Sequence, residues 1–158
     1  MKTFKYTFSF VLLWSLLACN DGASSNTPQT QGDGNLSVVI DGVPFSATTT
    51  IGMTTVSKTI SVIGSQENGD SVYLHFPVTA QEGSTLSVND GLVAGYDTNG
   101  GDSGILASFG SVTIISHDTK NQIVKGNFSF EGEPFDTVGP LVKLTEGKFE
   151  TSYKLTSK

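Results

Sequence analysis

From Leu36 onward the chain alternates apolar and polar residues in short runs, each ended by Gly, Asn or Asp. Alternation with a period of two is the mark of a strand with one buried face. Leu36-Ser37-Val38-Val39-Ile40 predicts a strand with Leu36, Val38 and Ile40 on one face. Asp41-Gly42 is a tight-turn pair, and Phe45 to Thr50 is expected to return as one strand. Lys58–Gly64, the turn Asn68-Gly69-Asp70 and Ser71–Phe76 make the clearest hairpin. There Val72, Leu74 and Phe76 point inward, and Tyr73 and His75 outward. Further strands are expected at Ser84–Val88, Leu92–Tyr96, Ile105–Phe109, Ser111–Ser116 and Ile123–Phe130. Val142-Lys143-Leu144 is expected to turn at Glu146-Gly147 into a last strand, Lys148–Leu155. No stretch of ten or more residues in this region has a helical period.

Roughly nine or ten short strands with short connections predict an all-β, mainly antiparallel domain, a β-sandwich or a partly closed barrel. Composition agrees. Gly is 18 of 158 residues, and charged residues are only 15%. Average chains carry about 7% Gly and about 25% charge.

The first residues follow a different pattern. Lys2 and Lys5 precede an apolar run from Phe8 to Ala18. About eleven helical residues are too short for a hydrocarbon layer of about 30 Å. A basic start, a short apolar centre and small residues at the end describe a secretory signal. The run ends Leu16-Leu17-Ala18-Cys19, which resembles the lipobox of bacterial lipoproteins. That resemblance implies cleavage before Cys19, a diacylglycerol on its thiol and an acylated new amino terminus. Three parts are thus expected: a signal at 1–18, a lipidated Cys19 with a polar tether to residue 35, and a domain at 36–158. The tether, with no large apolar residue, has a reach of roughly 20–25 Å.

Charge narrows the partners. Nine lysines stand against 15 acids, with no arginine, for a net charge of −6. Loss of Lys2 and Lys5 with the signal leaves a balance of −8. An acidic body argues against nucleic acid and against electrostatic attraction to an anionic membrane. The membrane partner is then reached through the lipid on Cys19. A single Cys excludes an internal disulfide and a Cys-rich zinc site.

Short motifs of the domain resemble a family of small uncharacterised lipoproteins seen mainly in the Bacteroidetes. They are Ile40-Asp41-Gly42-Val43-Pro44-Phe45, Gly110-Ser111-Val112-Thr113-Ile114, His117-Asp118, Gly126-Asn127-Phe128-Ser129-Phe130 and Thr145-Glu146-Gly147-Lys148-Phe149. The resemblance implies a β-sandwich-like fold and a place at the outer envelope, with no activity to carry over.

Four places carry candidate chemistry. Asp97, Asn99 and Asp102 in a Gly-rich loop offer oxygens to Ca²⁺, though the spacing departs from an EF-hand; the competing reading is a polar turn. His117-Asp118, with His75 elsewhere, lacks the Gly-x-Ser-x-Gly elbow of a hydrolase, and Asp118 is expected to start an Asx turn. Tyr73, Tyr96, Phe135 and Phe45 are candidate exposed aromatics, with Tyr73 or Tyr96 on a binding face. Phe128, Phe130 and Phe149 are expected in the core. The loop Glu131–Thr137 is expected to cover a sheet edge. No cofactor is expected.

The favoured reading is a lipid-anchored envelope protein, placed at the outer membrane with its face left open. Its role is expected to be non-catalytic binding of a glycan, a peptide or an envelope protein. The alternative is a subunit of a surface or fimbrial assembly, which an unpaired strand near a terminus would favour. A hydrolase ranks last.

Overall fold

The structure, a computed structural model, describes residues 34–101, 103–135 and 139–154. It contains eleven strands and one short 3₁₀ turn, with no α-helix among the described residues. The strands are β1 (Asn35–Ile40), β2 (Val43–Ser46), β3 (Thr49–Thr54), β4 (Thr59–Ser65), β5 (Ser71–Pro77) and β6 (Thr85–Ser87). They continue as β7 (Val93–Thr98), β8 (Ser103–Leu106), β9 (Phe109–Asp118), β10 (Ile123–Gly132) and β11 (Val142–Lys154). Nine of them follow one hydrogen-bonded path, β6-β9-β10-β11-β3-β4-β5-β7-β8, with β1 pairing β11 and β2 beside it. The path curls into a half-barrel, the partly closed form of the expected all-β architecture.

One wall is β6-β9-β10-β11-β1-β2, and the other is β3-β4-β5-β7-β8. β11 joins them. Its first two thirds pair with β1, while Tyr153 and Lys154 run parallel to Gly52 and Met53 of β3. This parallel contact departs from the otherwise antiparallel pairing. Gly52 makes it fit: a Cβ there would strike the backbone carbonyl of Ser152.

The alternation read from the sequence sets the core. Val72, Leu74 and Phe76 of β5 are fully buried, and so are Ile60 and Val62 of β4. They face Val112, Ile114, Val124 and Phe149 from the opposite wall, with the Phe76 and Phe149 rings 5.9 Å apart. Phe128 and Phe130 are also in the core, as expected. Burying each such large side chain contributes about 1.5–3 kcal/mol. The Asp41-Gly42 turn forms with both residues at positive φ (47° and 84°), so Ile40 pairs directly with Val43. That is the mirror-image two-residue turn that suits strand twist.

Three expectations need correction. Phe45 to Thr50 is two strands, not one. Ala47 N–H donates to Leu36 O and Thr48 N–H to Ser65 O, so the chain changes walls there. Glu146-Gly147 does not end a strand. Glu146 takes φ 57° inside a continuous β11, and the pairing with β10 skips a residue between Phe128 and Phe130. The residue left over is absorbed as a bulge rather than a turn. The strand expected at Ile105–Phe109 breaks at Ala107-Ser108, and Phe109 opens β9.

Candidate functional site

At one end of the half-barrel the β1–β2 hairpin approaches the β4–β5 turn, leaving a cleft of about 370 Å³. Its apolar wall is Ile40, Val43, Pro44, Phe45 and Val142. Asp41, Gln66, Asp70 and Tyr96 supply its polar groups.

Asp70 organises this end. Its carboxylate accepts from Asn68 Nδ2 (3.0 Å), Asn99 N–H (3.0 Å) and the Tyr96 hydroxyl (3.2 Å). It therefore ties the β4–β5 turn to β7 and to the turn after it. Burial, reinforced by the Asp70 charge and hydrogen bond, pushes the Tyr96 phenol up to about 12. Asp41 makes a reciprocal pair with Lys143: its N–H donates to Lys143 O, and its Oδ1 accepts from Lys143 N–H, both at 2.9 Å. Gln66 Nε2 donates to Ser46 O at 3.1 Å. Each side chain carries a second polar atom beside its bonded one, Asp41 Oδ2 and Gln66 Oε1, and both are of the type that accepts from a ligand.

Tyr96 meets Phe45 edge to face, ring centroids 6.3 Å apart. Phe45 is 4% exposed, so it is not an exposed aromatic; its ring faces inward from the β2 edge. Tyr73 and Tyr96 do not share one face. Tyr96 pairs with Val72 on the inner side, whereas Tyr73 pairs with Gly95 on the outer side. The Tyr73 ring lies over Gly95, where a Cβ would collide with it.

His75 also stands on the outer side, and its Nδ1 is 2.7 Å from Ser61 Oγ. The Ser–His contact is a buried structural tie rather than a nucleophile: Ser61 is 3% exposed. Burial pushes the His75 ring down from its ordinary value. His117 spends both ring nitrogens inside the fold, Nδ1 at 2.7 Å from Ala80 O and Nε2 at 2.8 Å from the Tyr153 hydroxyl. Since a carbonyl only accepts, Nδ1 is the donor. Asp118 forms the expected Asx turn, accepting from Lys120 and Asn121 N–H. Those bonds to Asn121 hold its carboxyl below the ordinary range.

Of the Ca²⁺ candidates, Asp97 lies on the outer side of β7 and Asn99 in the following turn; Asp102 lies outside the described residues. Among the described residues no group of three or more His, Cys, Asp or Glu is placed to hold a metal. Glu131 and Gly132 extend β10 instead of opening the loop, Pro134 bridges Ile105, and Phe135 N–H donates to Gly104 O, so Pro134 and Phe135 cover the β8 edge, while Asp136 and Thr137 lie outside the described residues. Phe135 itself is 61% exposed. Cys19, the signal and the tether as far as residue 33 lie outside the described residues. No helix among the described residues is long and apolar enough to cross a membrane.

The sequence reading missed Asp70, Asp41 and Gln66: Asp41 and Asp70 were treated as turn punctuation, and Gln66 was not singled out. The fold and cleft define an all-β half-barrel with a concave end. The chain belongs to a family described as a domain of unknown function (DUF6252), whose model matches residues 26–151. No curated protein and no solved structure matches it.

Proposed function

We propose that this protein is a non-catalytic binding module, held at the cell envelope by a lipid on Cys19, whose ligand seat is the cleft beside Tyr96. The ligand class we assign to it is a neutral glycan. The observation that carries this reading is the lining: carboxylate, amide and phenol oxygens against an apolar wall, with no Lys or His among its residues. Such a surface accepts hydrogen bonds from sugar hydroxyls and repels phosphate or sulfate. Pro44 and Val43 offer C–H surface to a sugar ring. The volume falls in the range of small-ligand sites, which favour the mouths of β-barrels. A self-contained module is preferred to a fimbrial subunit because β1, the first described strand, is paired on both sides, by β2 and β11.

The test is an array of immobilised neutral and anionic glycans probed with the full chain. Neutral glycans are expected to retain it, and Val43→Trp, which fills the cleft from a position 67% exposed, to lose at least tenfold in retention. Retention of anionic glycans alone, or equal retention of Val43→Trp, would sink the reading.

A further inference from the structure

The outer side of the β3-β4-β5-β7-β8 wall is unusual for a surface. Register places Ile51, Ile63, Tyr73 and Leu106 in one row across the strands, with Gly95 under the Tyr73 ring. Met53 and Val93 flank the Ser61–His75 tie in the next row. Val93 and Leu106 are 47% and 46% exposed; Ile51, Met53, Ile63, Tyr73 and His75 are half-buried, and Ser61 and Gly95 are buried. Asp97, at one end, is the charged residue among the outward positions of these five strands. The opposite wall contrasts with this. Its outer side carries the ion pairs Lys125–Glu150 (3.3 Å) and Lys143–Glu131 (3.6 Å).

We propose that this mainly apolar face, with Asp97 and Lys154 at its margins, is where a second copy of the chain docks, sheet face against sheet face, about a twofold axis. Charge selects the partner. An acidic body, with 15 acids against nine lysines in the full chain, repels its own copies, and the repulsion is least where the facing surfaces carry the least charge. A twofold contact also sets each apolar row against the same row, so the patch is complementary to itself. Size sets the strength. Five strands about 4.8 Å apart, over two or three residue pairs, offer roughly 300–500 Å² on each copy. The pair buries roughly 600–1,000 Å², the range of a weak, transient interface. The dimer is therefore weak in dilute solution and forms where the chain is concentrated. The contact is independent of the cleft, which opens on the inner side.

Disulfide cross-linking in the membranes of cells making the full chain tests this. Cys19 is the one native cysteine, so wild type sets the background. Ile63→Cys puts a thiol at the centre of the face, and Lys125→Cys puts one on the opposite wall. Mild oxidation is expected to give the Ile63→Cys homodimer in at least tenfold excess over Lys125→Cys. Adding Val93→Lys or Leu106→Lys, both at exposed positions, is expected to cut that homodimer at least tenfold at unchanged protein level. Equal cross-linking from the two walls, no effect of either lysine, or cross-linking of Ile63→Cys to a different protein would overturn it.

Discussion

Asp70 accepts hydrogen bonds from three stretches of chain, through Asn68, Tyr96 and Asn99. The Tyr96 hydroxyl is the one of these donors that titrates. Its folded value, pushed up to about 12, exceeds the ordinary value of 10.0. A group held protonated by the fold contributes stability that is complete below the unfolded value and declines above it. The contribution of Tyr96 should thus be flat below pH 10 and fade between pH 10 and about 12. Denaturant unfolding of wild type and Tyr96→Phe across that window checks this. The gap between the two should close as pH rises; a gap that widens would contradict the Tyr96–Asp70 bond. His75 has the opposite sign. Its lowered value means that the buried neutral ring is favoured, so its contribution is lost as pH falls below the ordinary 6.5.

At the scale of elements, the β11–β3 seam rests on Gly52. Gly52→Ala sets a methyl group against the Ser152 carbonyl, which is backbone and cannot rotate away. The expected loss is about 1–3 kcal/mol of unfolding free energy, the usual cost of overpacking. An unchanged denaturant midpoint would mean that the two strands do not meet there. Most elements were legible because side-chain parity is local. The Asn68-Gly69-Asp70 turn fixes Val72, Leu74 and Phe76 as core, and the same register gives the Ser61–His75 contact by counting back from the turn. What was not legible depends on pairing between distant segments. Nothing local in Phe45–Thr50 says that the chain changes partner at Ala47, because that switch is decided by Leu36 and Ser65. Glu146-Gly147 looks like a turn until Phe128 is known to lie opposite Gly147. The cleft has the same origin: Asp41, Asp70 and Tyr96 are adjacent only after three separate connections converge.

At the scale of the whole molecule, the outer sides of the two walls differ: one is mainly apolar with Asp97 at its margin, the other carries ion pairs. The proposed lipid on Cys19 and the proposed docking face together imply a protein crowded on a surface rather than dilute. Anchoring is tested by fractionation. Cys19→Ser should move the full chain from the membrane pellet to the soluble fraction, and continued pelleting would refute the anchor.

β11 also bears on the timing of folding. It is the last described strand in the chain, yet it lies between β10 and β1 and reaches β3. Ile40 meets Leu144 across a separation of more than one hundred residues. A ribosome delivers the amino-terminal strands first, and the ladder that β11 makes with β1 and β3 cannot form until Val142–Lys154 has emerged. Such distant pairings close late and slowly. The half-barrel therefore cannot complete its β1–β11 and β11–β3 pairings until Val142–Lys154 has been made, which puts its closing step behind every other described strand.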